Sequence, residues 1–326
     1  MTDRMKTLLG SAALIAGTVA MTPANALTVY VSNEQGNTLS VIDGETREVI
    51  EEIPVGNRPR GIALGHDHKF LYICASDDDT IQVMDTETLE IVDTLPSGPD
   101  PELLVIAPAG DRLYVANEDD NLVTVVDLET REMITEVPVG VEPEGMGVSP
   151  DGKMVVNTSE TTNMAHFINT DTYEVSGNVL VGQRPRIAEF TSDGSEVWVS
   201  AEIGGTVSVI DPQAQEVIHE ISFEVAGVEP EALQPVGVKI LDDRSKAYVA
   251  LGPSNRVAVI DAQSYEVLDY ILVGQRVWQL ELTPDETTLY TSNGVSNDVT
   301  LIDTESDTAI ESIPVGSFPW GIAIKP

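Results

Sequence analysis

Three features of the sequence predict an all-β chain folded as a seven-bladed β-propeller. The first is an aspartate ending one strand of each repeat, at Asp43, Asp85, Asp127, Asp211, Asp261 and Asp303, with Asn169 in the remaining place. Successive steps are 42 residues, apart from one of 50 between Asp211 and Asp261. The second is a turn proline in the same phase, at Pro59, Pro101, Pro143, Pro185, Pro235 and Pro319, with Val277 filling its one gap. The third is a set of four short apolar runs in every period. Periods of this length mark solenoids, propellers or arrays, and four strands repeated seven times fit a propeller.

The unit from residue 59 shows the elements in order. Gly61–Leu64 is the first strand and GHDHK its turn; Leu71–Cys74 is the second, followed by ASDDD. Ile81–Met84 is the third, DTET turns the chain, and Glu90–Leu95 is the fourth. Val, Ile and Tyr suit a half-buried pleated surface, while Gly, Asp, Asn and Pro punctuate it. Apolar spacing of helical period occurs only within the first 26 residues. After them the chain starts in mid-unit with a second-strand pattern, Thr28–Asn33, and ends on a lone first strand, Pro319–Ile324. The C-terminal strand is therefore expected to complete the N-terminal blade and close the ring, making residues 27–326 one domain.

Residues 1–26 read as a secretory signal: Arg4 and Lys6 precede a short apolar stretch, and Ala24-Asn25-Ala26 has the form of a cleavage site. The expected location is the periplasm, with cleavage after Ala26 and no membrane insertion. Fifty-four acidic against 17 basic residues give a net charge of −37, which disfavours nucleic acid and anionic membranes as partners. A single cysteine, Cys74, excludes an internal disulfide and a c-type haem site.

The repeats YVSNEQGNTLSVIDGETREVIEEIPVGNRPRGIAL and YVANEDDNLVTVVDLETREMITEVPVGVEPEGMGVSPDG resemble the YVTN family of β-propeller repeats from Leu27 to Pro326. Behind a signal peptide, seven such units are similar to the β-propeller proteins associated with PQQ-dependent catabolism of alcohols. The resemblance implies a periplasmic accessory protein whose partner is a small molecule or another periplasmic protein, such as a quinoprotein dehydrogenase or a transporter component. The chain departs from the quinoprotein dehydrogenases themselves, which have eight blades and a repeated tryptophan docking motif; three tryptophans serve seven units here. PQQ is thus not expected as a bound catalytic cofactor.

Aligned repeats become columns that converge on the ring axis. The residue after the turn proline reads Arg60, Glu102, Glu144, Arg186, Val236, Trp278, Trp320, whereas a core column of the same strand stays apolar throughout (Leu64, Ile106, Val148, Phe190, Ile240, Leu282, Ile324). Arg60, Glu102, Glu144, Arg186, Trp278 and Trp320 are therefore expected to line a ligand-binding mouth with cationic, anionic and aromatic sectors; ion pairing between neighbouring blades is the structural reading of the same residues. A second column, at the end of each second strand, places Glu34, Glu118, Glu160 and Glu202 on the same face. Carboxylate oxygens there suit Ca²⁺ or another hard cation, although solvated acidic loops account for them as well. Glu189, Lys239 and Glu281 read as a ladder inside three first strands, and the eight extra residues within Ser222–Gln234 as a lid over the mouth.

Catalytic signatures are sparse. His66 and His68 fall on the face opposite the mouth and cannot join His166 or His219 in a zinc site. No nucleophile elbow, P-loop or H-E-x-x-H occurs. The function expected is a non-enzymatic binding or accessory propeller. The alternative is a metal-assisted lactone hydrolase at the mouth, which needs a hard ion on the axis held by several of these glutamates.

Overall fold

The computed structural model describes residues 27–326, so the segment expected to be an export signal, residues 1–26, lies outside the described residues. Within them are 28 β-strands and three short 3₁₀ turns, arranged in seven four-stranded antiparallel sheets. The second blade runs Pro59–Leu64, Phe70–Ala75, Thr80–Asp85 and Ile91–Pro96 from the axis outward; the first three strands reach a residue or two beyond the apolar runs expected for them, and the fourth is shifted by one residue. Blades 3 to 7 repeat it, with inner strands Pro101–Ile106, Pro143–Val148, Pro185–Phe190, Pro235–Ile240 and Val277–Leu282. Blade 1 is composite: Pro319–Lys325 pairs with Thr28–Asn33, setting Ile324 opposite Val29 and Ile322 opposite Val31. The C-terminal strand closes the ring, as expected.

The aspartate that marks the period has a physical reason to recur. Asp43 Oδ1 accepts the backbone N–H groups of Glu45 and Thr46 at 2.9 and 2.8 Å, and Asp127 receives Glu129 and Thr130, both at 2.9 Å. Asn169 does the same with its side-chain oxygen, for Asp171 at 2.9 Å and Thr172 at 3.0 Å. The turn then needs a left-handed residue, supplied by Arg47, Arg131 and Tyr173. These side-chain-capped turns join the third and fourth strands.

Burial follows distance from the axis. Second strands are almost wholly buried, whereas outer strands such as Glu48–Pro54 keep one buried residue near their end. Seven apolar clusters form, each spanning one junction between adjacent blades. A bulky residue near the start of the second strand recurs in most of them: Tyr30, Tyr72, Tyr114, Trp198, Tyr248 and Tyr290 are all buried. Cys74 lies in this core, and burial pushes its thiol well up, helped by nearby Glu102 and Glu144. It is an inert packing residue.

Inner strands approach so closely that side chains become an obstacle. A Cβ on Gly145 would collide with the Arg186 carbonyl of the next blade. Gly145→Ala is therefore expected to lower unfolding stability by about 1–3 kcal/mol, measured by denaturant titration. The capping aspartates make a pH-dependent contribution: the backbone N–H groups hold Asp43, Asp85 and Asp127 below their ordinary range. Stability from them is complete above the unfolded carboxyl value of about 3.9 and is lost as pH falls through the lower folded values. Asp127→Asn, which keeps the cap as Asn169 does, should fold normally and lose less stability below about pH 4 than the parent.

Candidate functional site

Two loops of each blade meet at one end of the channel: the turn entering the inner strand, and the loop after the second strand. A repeated backbone hydrogen bond joins them. Ser76 N–H donates to the Arg58 carbonyl at 3.2 Å, Glu118 to Asp100 at 3.0 Å, Glu160 to Glu142 at 2.8 Å, Glu202 to Arg184 at 2.8 Å, and Gly294 to Arg276 at 2.9 Å. Across the clasp, Glu34 donates to Phe318 at 2.9 Å. The accepting residues are all left-handed, with φ between 50° and 60°. That conformation costs an L-residue roughly 1–2 kcal/mol, so each mouth turn carries some strain. Hydroxyls fix the next blade: Ser32 donates to the Arg60 carbonyl at 2.7 Å and Ser292 to that of Trp320 at 2.6 Å.

The two columns interlock. Arg60 reaches Glu34 at 3.0 Å, Glu102 at 2.5 Å and Glu144 at 3.8 Å. Arg186 pairs with Glu144 at 2.7 Å, with Glu160, and with Glu202 at 3.8 Å. Glu102 and Glu144 thus lie between two guanidinium groups in a continuous arch over four blades. Burial opposes the charge of both arginines, but the carboxylates outweigh it and raise their pKa values. Glu102 is pushed well up by burial and then by Glu144; burial also raises Glu160, to about 6, against the pull of Arg186.

The ligand-lining expectation needs correction in one respect. The six residues are brought together, yet Glu102, Glu144, Arg186 and Trp320 are buried, the last only 1% exposed. Arg60 and Trp278 keep partial exposure. The arginines and the rings pack on one another: Arg60 lies 5.6 Å from the Trp320 ring centre, and Arg186 and Arg276 lie 5.8 and 4.2 Å from that of Trp278. The aromatic surface left at the mouth belongs to Trp278 and, beside it across Gly294, Phe318. Of the four carboxylates expected as metal ligands, Glu34 and Glu202 serve as counter-ions, Glu202 to Arg276 at 2.6 Å and to Arg184 at 3.5 Å. Glu160 pairs with Arg184 at 2.8 Å. Glu118 joins none of the ion pairs found among the described residues.

The residue before the turn proline completes the site and was missed as a column: Arg58, Asp100, Glu142, Arg184, Gln234, Arg276 and Phe318. Its signal was present, since it changes character in the same blades as the column two residues on. The insertion is not a free lid. Phe223, Val225 and Val228 pack on the cluster between blades 5 and 6, the Tyr270 hydroxyl receives Glu224 N–H at 3.0 Å, and Gln234 reaches the mouth, accepting from Arg276 at 3.0 Å. Lower in the channel, which encloses about 300 Å³, Lys239 bridges Glu281 at 3.1 Å and Glu189 at 3.5 Å, as the ladder required.

Residues 121–325 match the profile of the choice-of-anchor I domain. The chain belongs to that family. A search of curated protein sequences finds no match. Among solved structures, this choice-of-anchor I propeller is similar to Kuenenia stuttgartiensis hydrazine synthase (22% identity, TM-score 0.79, covering 90% of this chain and 99% of that one). It is similar also to a candidate 6-phosphogluconolactonase of Bacteroides fragilis (20%, 0.76, 94% and 100%) and to the dihydro-heme d1 dehydrogenase NirN (14%, 0.68, 91% and 74%). At such identities the likeness concerns the fold alone.

Breaking the arch leaves buried carboxylates without a partner. Arg186→Gln should cost about 3–5 kcal/mol at neutral pH. Glu160, already raised by burial, then loses the opposing pull of Arg186, so the deficit should shrink as pH falls through its folded-state value. Denaturant unfolding at neutral and mildly acid pH reads both effects.

Proposed function

We propose that this chain is an exported, non-enzymatic binding propeller, an accessory to PQQ-dependent alcohol catabolism as the repeat resemblance suggests. The observation that carries the binding reading is that the arginines of the mouth are spent on its own carboxylates. Arg58, Arg60, Arg184, Arg186 and Arg276 each pair with at least one acid, so an anionic substrate finds no free cation among them. Around this closed network the loops expose Ile203, Val295 and Val141, at 60, 52 and 42%. A neutral ligand on Trp278, or a protein partner seated on the rim, suits such a surface better than a charged metabolite does.

Lactone hydrolysis has one observation in its favour, the Glu160 carboxyl raised to about 6, a value suited to general-base work near neutrality. The propellers it resembles include a synthase, a dehydrogenase and a candidate lactonase, so shape does not choose between the readings.

The test mixes the mature protein with the quinoprotein alcohol dehydrogenase of its own host and follows the complex by sedimentation velocity. Binding should be saturable, lost in Ile203→Asp with Val295→Asp, and kept in Val49→Asp with Ile50→Asp on an outer strand. Glucono-δ-lactone should hydrolyse no faster than in buffer. Turnover that disappears in Glu160→Gln would establish the hydrolytic reading instead.

A further inference from the structure

We propose that the mouth holds one divalent cation of the Ca²⁺ type on Glu118, between Asp100 and Glu102 of blade 3 and Glu142 and Glu160 at the entry to blade 4 and the end of its second strand. Two sets of carboxylates meet there. One oxygen each from Asp100, Glu102 and Glu118 lie within 4.8 Å of one another, and the same holds for Glu118, Glu142 and Glu160. Glu118 belongs to both sets. Oxygens on opposite sides of a Ca²⁺ ion stand about 4.6–5.2 Å apart, twice its usual ligand distance, so each set has the spacing of a ligand group, with Glu118 common to both.

A second observation separates this place from an ordinary acidic surface. Glu102 is fully buried, and its Oε1 has no hydrogen-bond partner among the described residues. Its other oxygen is taken by Arg60 Nη1 at 2.5 Å. The nearest cation to Oε1 is Arg58 Nη1, at 3.4 Å, and Arg58 is already committed to Asp77 at 2.7 Å and to Asp100. On the far side Arg184 and Arg186 take Glu160, while Glu142 has only the Thr161 hydroxyl. A carboxylate at the centre of four others, with no protein cation for itself and a buried oxygen beside it, is a deficit of positive charge. Oxygen-only, anionic and loop-borne donors suit Ca²⁺, which tolerates irregular coordination, better than Mg²⁺, which demands a strict octahedron.

The backbone already holds the ligands in place. Glu118 and Glu160 are anchored by their bonds to Asp100 and Glu142, so each pair of ligands moves as one unit. The ion would bridge blade 3 to blade 4 at the rim, away from the residues that line the axial channel.

The test uses the mature protein stripped with EDTA, in about 0.15 M NaCl so that distant charges are screened. Calorimetric titration with Ca²⁺, and Tb³⁺ luminescence displaced by Ca²⁺, should show one ion per chain. Glu118→Gln should abolish this binding and Glu142→Gln weaken it by roughly tenfold or more, whereas Glu216→Gln on an exposed outer strand should leave it unchanged. Thermal unfolding should cross over. Without the ion Glu118→Gln melts above the parent, because a like-charge repulsion is gone; with Ca²⁺ the parent melts higher. The proposal falls if the parent binds no ion, if Glu118→Gln binds as the parent does, or if Glu216→Gln loses as much as Glu118→Gln.

Discussion

Each blade presents two apolar faces that it cannot cover alone, and the packing of one blade on the next is the constraint from which the rest of the structure follows. Seven apolar clusters occupy the seven junctions, so no blade has a core of its own. An open array would leave two such faces in water; pairing Pro319–Lys325 with Thr28–Asn33 removes both. The same packing draws the inner strands together until a methyl group at Gly145 no longer fits. At that separation, side chains at equivalent positions in adjacent blades meet, and the chemistry of the mouth is set by the pairs thus formed.

Those pairs are unusual for so acidic a chain. Of 17 basic residues, Arg58, Arg60, Arg184, Arg186 and Arg276 are gathered at one rim, where they neutralise carboxylates that burial would otherwise drive to their protonated form. Desolvating such a network offsets much of its Coulombic gain, and the left-handed residues beneath it add strain. An arrangement this unfavourable to stability is better understood as a device for holding a particular surface. The neutralised arch lies under the more exposed Trp278, Glu118 and the apolar loop tips, and these are the groups that meet whatever arrives at the mouth.

Much of this was legible beforehand. The capped turns recur because each strand pair needs the same two backbone donors satisfied, so the period was visible in Asp43 and its counterparts, and Asn169 kept it because an amide oxygen accepts equally well. The convergence of Arg60, Glu102, Glu144 and Arg186 followed from alignment, since equivalent positions on a ring share one height along the axis. The column of Arg58, Arg184 and Arg276 carried the same kind of signal two residues earlier.

Other features depend on distances that no column expresses. Trp278 and Trp320 are equivalent in sequence, yet one stays partly open and the other is sealed, because their surroundings differ: Gly294 and Arg276 flank Trp278, while Trp320 lies by Arg60. Glu34, Glu118, Glu160 and Glu202 are likewise equivalent, and only the reach of neighbouring arginines separates counter-ions from an unpaired carboxylate. The order and number of strands, the closure of the ring and the height of each side chain along the axis were determined by the sequence alone, because they follow from a local repeat. Which side chains are paired, buried or left open was decided by the tertiary structure, because it depends on what the neighbouring blade places opposite them.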